Sequence, residues 1–268
     1  MDKQTQVTSF NLRKIILEQS KRANVGHIGS ALSIADIIAA LYQNILNIKN
    51  PDDPSRDRFI LSKGHAALAL YAALHLKGWL SQEILNTYCA DNSILGVHPE
   101  HSLKGVECST GSLGQGLSMA TGLALAAQLK QFSWRTFVLV SDAELNEGSV
   151  WEAVMFAAQH QLSNLVMIID DNKQQALGYT QDVIGLQPLQ EKLEAFRWDV
   201  HSIDGHNNDE IIETVDTCLR QKGKPHAIIA NTTFGKGVSY MERKIKWHYW
   251  PMNEDEYAQA LTEINRSS

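Results

Sequence analysis

A chain of 268 residues can bury a full hydrophobic core, and 44% hydrophobic with 20% charged residues is ordinary globular composition. A net charge of -6 gives no general pull toward polyanions, so no nucleic-acid partner and no membrane partner is expected. The three cysteines, Cys89, Cys108 and Cys218, are too scattered for a zinc site and too few for a disulfide framework, which fits reduced thiols and a cytoplasmic location.

Met1 to Phe10 is polar and lacks the apolar core of a signal peptide. Ile34, Ala35, Ile38, Leu41, Tyr42 and Ile45 keep to one helical face, and Leu68, Tyr71, Ala72 and His75 suggest another short helix. The most nearly apolar stretch, Ala66 to Leu76, is too short to span a bilayer. A glycine-rich run over 109–116 leads into a small-residue helix, Leu117 to Leu129. Thr136 to Val140 and Leu165 to Ile169 have the length and β-branched content of buried parallel strands, with a helix-like stretch, Trp151 to Gln161, between them. Strand, helix, strand makes one right-handed crossover, which puts the carboxyl ends of both strands on one edge of the sheet. Asp199 to Ile203 and Ala227 to Ala230 read as further strands. They flank a helix opened by Asn207 with Glu210 three residues later, a capping-box spacing, and closed by Gly223 ahead of Pro225. A charged helical segment, Glu254 to Ile264, ends the chain. This alternation predicts an α/β fold, a mainly parallel central sheet with helices on both faces. No repeat or linker marks a boundary, so residues 1–268 read as a single domain with a terminal helical segment at about 252–268.

Asp142 and Asn172 each sit directly behind an apolar strand. Two readings of the pair stand side by side: turn residues closing two strands, or hard oxygen donors for Mg²⁺ that also holds phosphate oxygens. Four of the ten histidines occur in turn-like contexts, at Gly26-His27, Gly64-His65, His98-Pro99 and Trp247-His248. Glycine beside histidine lets a backbone come close to a ligand, so these look more like a site than a core. His75, His201 and His206 are assigned structural roles. The glycine run feeding a helix N-terminus can bind an anion or admit a flat ring, and close helix packing explains it equally well. Glu144, Glu147 and Glu152 are either a favoured helix entry or a buried acid relay.

Taken together, Gly26-His27, Ser62-Lys63-Gly64-His65, His98-Pro99-Glu100, the run from Thr110 to Gly116, Ser141-Asp142-Ala143, Asp171-Asn172-Lys173 and Trp247-His248 resemble the amino-terminal half of transketolase. The match keeps its order over nearly the whole chain, and it looks like the separate amino-terminal subunit of a split transketolase. That resemblance implies a thiamine diphosphate-binding fold. Asp142, Asn172 and the backbone carbonyl of Gln174 would bind Mg²⁺, for which Ca²⁺ or Mn²⁺ can substitute. His65, Ala143 and His248 would contact the cofactor, with Gly111, Ser112 and Leu113 along its rings. His27, His98 and His248 would face the hydroxyls of a ketose donor, and Glu147 and Glu152 would link the two sites of a dimer. A histidine titrating near neutrality suits the base that removes the donor's C3 hydroxyl proton.

Two departures from the family pattern stand out. Ser141-Asp142-Ala143 replaces Gly-Asp-Gly, and the methyl of Ala143 is tolerable at negative φ but costs roughly 1 kcal/mol or more at positive φ. Ser112 replaces a proline, which should loosen that loop. The resemblance also implies a partner, the carboxy-terminal subunit carrying the pyrimidine-binding and third domains, in an α2β2 assembly, with a sugar or sugar phosphate as substrate. Alternatives are a 1-deoxyxylulose-phosphate synthase-like condensation, a two-carbon transfer in a branched-sugar or natural-product pathway, or a subunit that has lost catalysis and only supports its partner.

Overall fold

The computed structural model describes residues 6–266. Its centre is a parallel sheet containing β1 (Arg58–Leu61), β2 (Thr136–Ser141) and β3 (Leu165–Asp171). Beyond the end of β3 stands a small antiparallel hairpin, β4 (Gln174–Gln175) and β5 (Gly178–Tyr179). The sheet is completed by β6 (Asp199–Asp204) and β7 (His226–Asn231), in the order β1-β2-β3-β7-β6.

Successive side chains of a strand point to opposite faces, and here both faces are dry. Phe59, Leu61, Phe137, Leu139, Val166, Ile168 and Ile228 enter one apolar cluster, while Ile60, Val138, Val140, Met167, Ile169 and Ile229 enter the other. Burial on both sides is why β2 and β3 read as unbroken apolar runs rather than alternating ones. The first face is covered by α1 (Ser9–Ala23), α2 (Ile28–Ser33), α3 (Ala35–Ala40) and α4 (Ala67–Leu76), with α5 (Gln82–Leu85) against α4. On the other face lie α6 (Gly116–Lys130) and α7 (Gly148–Gln159). The short α8 (Thr180–Ile184) follows the hairpin, and α9 (Leu189–Ala195) packs beside α7's face of the sheet. The chain then returns to the first face with α10 (Asn208–Arg220) and α11 (Glu254–Arg266).

The expected α/β architecture, parallel sheet and two helical layers are present. Each expected strand extends one or two residues further than its apolar run, because polar ends such as Ser141 and Asp171 still pair in register. α4 is not the one-faced helix its spacing indicated. Nearly every residue from Ala67 to Leu76 is buried, since α1, α2 and α3 pack around it. Only half of the capping box at α10 forms: the Asn207 side chain accepts from the Glu210 N–H at 3.2 Å, while the Glu210 carboxylate accepts from the Asp204 N–H instead. Several elements are not evident from the sequence pattern, among them α5, α8, α9 and the β4–β5 hairpin, and two of those missed frame the site. β1 is only four residues long, and α1 begins within a segment notable mainly for its polarity, although its Thr8 cap and buried Leu12, Ile16 and Leu17 are amphipathic signals. Among the described residues, no helix is long and apolar enough to cross a membrane.

Candidate functional site

The strands of the central sheet all run the same way, so the segments leaving β1, β2, β3 and β7 gather on one edge. Lys63 follows β1, Asp142 follows β2, Asp170 and Asp171 end β3 with Asn172 next, and Thr232 follows β7. The hub is Asp170, fully buried and ion-paired with the equally buried Lys63. Its carboxylate also accepts from Ser33 Oγ at 2.7 Å, Asn172 Nδ2 at 2.8 Å and the Thr232 hydroxyl. Burial opposes its ionisation, but the Lys63 cation and these donors hold the Asp170 pKa below the ordinary value. Along the chain Lys63 stands out only as part of a motif, and Asp170 and Ser33 do not stand out at all. A charged residue inside an apolar strand run was the available signal.

Asn172 is thereby oriented: its amide nitrogen donates to Asp170 and its Oδ1 accepts from the Gln174 N–H at 2.9 Å. The Asp142 carboxylate accepts from the Ala143 N–H at 2.8 Å and from Thr180 Oγ1 at 2.8 Å. It is buried, and neither of these partners carries a positive charge. Burial first, with Asp170 and Asp171 adding, pushes its pKa up to about 7 against the two hydrogen bonds. Ala143 opens a tight turn with negative φ, so the methyl that replaces the family's glycine is unstrained.

The glycine-rich run is stapled from below by Glu144. Its buried carboxylate accepts from the Gly114 N–H at 2.8 Å, the Ser141 N–H at 3.2 Å and the Ser62 hydroxyl. Of the three glutamates behind Asp142, only this one is buried, and it serves the loop, whereas Glu147 and Glu152 are exposed. Within the chain by itself, Glu147 and Glu152 are not buried with Glu144. The histidine-adjacent glycines also differ from expectation. A Cβ on Gly64 would lie 2.8 Å from the Gly111 nitrogen, and one on Gly26 would strike the Tyr249 carbonyl. Both glycines admit another loop's backbone, which holds the histidines in place. Gly64→Ala should displace the 110–111 backbone, costing about 1–3 kcal/mol of stability and weakening cofactor binding; thermal unfolding and calorimetric titration check both.

A cavity of about 360 Å³ opens over this edge, lined by His27, His65, Gly111, Leu113, Ala143, Glu147, Asn172, Gln174 and His248, among others. Ser112 is exposed beside it, and the His98 ring, also exposed, packs against Gly111. Asp142 lines a second cavity of about 640 Å³ with Asp171, Lys173 and Thr180. Glu152 stands apart, in a surface depression between α6 and α7. His27 and His65 rings lie 5.6 Å apart, and His248 stacks on Phe234 at 4.4 Å. Burial, then the Lys63 cation and His27, lowers the His248 pKa to about 4. Burial and His98 lower His27, and burial, Lys63 and the other histidines take His65 well down. Burial and the neighbouring charges therefore favour the neutral ring in all three. A neutral imidazole is the form that can accept a proton. The structural assignments of His75 and His206 hold: His75 Nδ1 bonds the Leu80 carbonyl, and His206 bridges Asp36 and the Thr233 N–H.

The family model for the transketolase thiamine diphosphate binding domain matches residues 4–265. The chain belongs to the transketolase family. This transketolase domain is 43% identical over 95% of its length to the 6-deoxy-6-sulfo-D-fructose transketolase subunit of a Clostridium species, covering 94% of that protein. It is 41% identical to an apulose-4-phosphate transketolase subunit from Phocaeicola vulgatus, covering 94% of this chain and 91% of that one. In structure it matches the transketolase of Campylobacter jejuni with a TM-score of 0.90 and 33% identity, over 99% of this chain and 43% of the other. Leishmania mexicana transketolase gives 0.90 at 29% identity, again spanning only 42% of that chain.

The transketolase site has a donor set that suits a diphosphate-bound divalent cation. Asp142 is a buried carboxylate without a counter-charge, and Asn172 presents a carboxamide oxygen on the same sheet edge. Both side-chain amide atoms of Gln174, Nδ1 of His27 and Nε2 of His248 are buried without a hydrogen-bond partner among the described residues. Buried polar atoms left without partners point to a bound group that completes them.

Proposed function

We propose that this chain is the diphosphate-binding subunit of a split transketolase, a single diphosphate-binding domain that moves a two-carbon ketol unit from a ketose to an aldose. The reading is carried by one observation: an uncompensated buried carboxylate, a glycine loop and three neutral histidines converge on one sheet edge in a transketolase-family chain. Asp142, Asn172 and the Gln174 carbonyl hold Mg²⁺ and through it the diphosphate, with His65, His248 and the Ala143 backbone contributing to the same end. In the cofactor-free chain the Ala143 N–H is occupied by Asp142, so engaging a phosphate oxygen requires that carboxylate to turn away. Gly111, Ser112 and Leu113 flank the rings. Thiamine diphosphate supplies the thiazolium carbon and the electron sink for breaking the C2–C3 bond of the ketose.

The protein's own part is positioning and proton transfer. His27 and His248, neutral and with buried free nitrogens, accept the C3 hydroxyl proton and return it to the acceptor's oxygen. His98, at the rim above Gly111, binds a donor hydroxyl. Glu147, exposed where it lines the cavity, and Glu152, exposed further along α7, meet a partner domain in this reading. His27 has a left-handed backbone at φ 60°, a conformation asparagine tolerates. His27→Asn should therefore keep the fold and the cofactor affinity within a few-fold while lowering kcat by about 10²–10⁴, measured by steady-state kinetics beside calorimetry.

Relatives matched over more than nine-tenths of their length are called subunits, which supports a partner subunit; the partner proposed carries the pyrimidine-binding domain, and the assembly proposed is α2β2 and cytoplasmic. Their named substrates carry a sulfo or a phosphate group. A ketose with a terminal anionic group is accordingly the proposed donor. Ketol transfer should appear only when the chain is combined with its partner subunit. Full-rate transfer by the chain alone refutes the split reading, and no cofactor binding by the assembled pair refutes the catalytic one.

A further inference from the structure

The opposite edge of the sheet carries a second cluster of ligating side chains. Asp199 starts the edge strand β6, and His226, its partner in register, starts β7. Asp199 and His201 are two residues apart on one strand and so share a face, the face on which α10 packs with its buried Cys218. The carboxylate, imidazole and thiol atoms all lie within 4.8 Å of one another. Asp199 Oδ2 is 3.0 Å from His201 Nε2, and His226 Nδ1 bonds the same oxygen at 2.9 Å, fixing the carboxylate's orientation. His226 Nε2, on the far side of that ring, is buried without a hydrogen-bond partner among the described residues.

Bonds of about 2.0–2.3 Å from a tetrahedral ion place its ligands roughly 3–4 Å apart, close to this spacing. One sulfur, one imidazole nitrogen and one carboxylate oxygen are a set chosen by zinc rather than by Mg²⁺, which takes oxygen alone. Scattered cysteines in the sequence hid it, because the other donors come from a strand and not from a second cysteine. We infer that Asp199, His201 and Cys218 form a binding site for a zinc-class divalent ion, three protein ligands with the fourth position open to solvent. The ion would displace the proton of the Cys218 thiol and replace the His201 Nε2–Asp199 hydrogen bond, the neutral imidazole keeping its N–H on Nδ1, and would clip the sheet's edge strand to α10. With its side chain 28% exposed, His201 is the entry side. His226 acts as a positioning residue, holding Asp199 from behind.

The test is a Co²⁺ titration of the full-length chain in its assembly, with excess Mg²⁺ keeping the cofactor site filled. The expected result is one thiolate-to-cobalt charge-transfer band that saturates at one ion per chain and survives Asp142→Ala. It should vanish in Cys218→Ser and need at least tenfold more cobalt in His201→Gln. The latter keeps the thiol and changes a partly exposed side chain, so loss there separates a missing ligand from a misfolded chain. Zinc should raise Tm in the parent and not in His201→Gln. Absence of the band, its persistence in Cys218→Ser, or unchanged affinity in His201→Gln overturns the site and leaves a hydrogen-bonded Asp–His pair.

Discussion

Asp142→Asn should lower thiamine diphosphate affinity of the assembled enzyme by about 10³-fold, with ketol transfer falling in parallel. Among the described residues, the side chain it replaces is the one buried aspartate at the ends of β2 and β3 that no lysine compensates; Asp170 has Lys63 and Asp171 has Lys173. Removing one member of a buried charge pair costs about 2–5 kcal/mol, and roughly 4 kcal/mol is three orders of magnitude in affinity. Calorimetric titration with Mg²⁺ present reads it, and near-parental affinity in the variant removes Asp142 from the metal.

The same substitution has a second, opposite consequence in cofactor-free protein. The folded Asp142 pKa of about 7 lies above the unfolded value, so the native state binds the proton more tightly. Its contribution to stability is greatest below about pH 4, declines as pH rises to about 7 and is level above that. The decline amounts to as much as about 4 kcal/mol, since each pH unit separating the folded from the unfolded pKa is worth about 1.4 kcal/mol. Denaturant unfolding at pH 5 and pH 8 should show the parent losing stability relative to Asp142→Asn over that interval. A constant difference between the two would mean that burial does not penalise the ionised carboxyl.

Lys63→Met should destabilise the fold by about 3–5 kcal/mol, because it leaves Asp170 charged in a fully buried position. Ser33, Asn172 and Thr232 continue to donate to that carboxylate, but none neutralises it. The loss should be smaller in Lys63→Met/Asp170→Asn than the sum of the single changes, since the pair is then neutral and the side-chain bonds persist. Denaturation of the four proteins gives the coupling directly, and additive effects would show that the two groups do not act as a pair. The cation also faces His65 and His248, so its removal raises both imidazoles toward their ordinary range.

Much of this was legible along the chain. β2 and β3 are dry on both faces and therefore continuous apolar runs, and the residue behind each run had to arrive at one sheet edge once the strands were parallel. Asp142 and Asn172 followed from that alone. α1 and β1 were harder: β1 is too short to show a period, and α1 keeps polar Gln19 and Ser20 on its buried side. The ion pair at the heart of the edge was invisible because its members come from different strands. Lys63 and Asp170 are more than a hundred residues apart, and no local pattern relates them.

Residue type and order by themselves determined the family, the sheet, and which side chains gather at its carboxyl edge. Only the folded chain decided their state. Packing α2 and the 234–249 segment over the edge strips water from three histidines, and this desolvation, with Lys63 beside His65 and His248, favours their neutral form over that of a solvated imidazole. Likewise, glycines that read as openings for a ligand proved to be contact points between loops, and a cysteine that read as isolated proved to face an aspartate and a histidine. Charge state and proximity depend on what is brought near through space, and a linear sequence carries neither until the long-range contacts have formed.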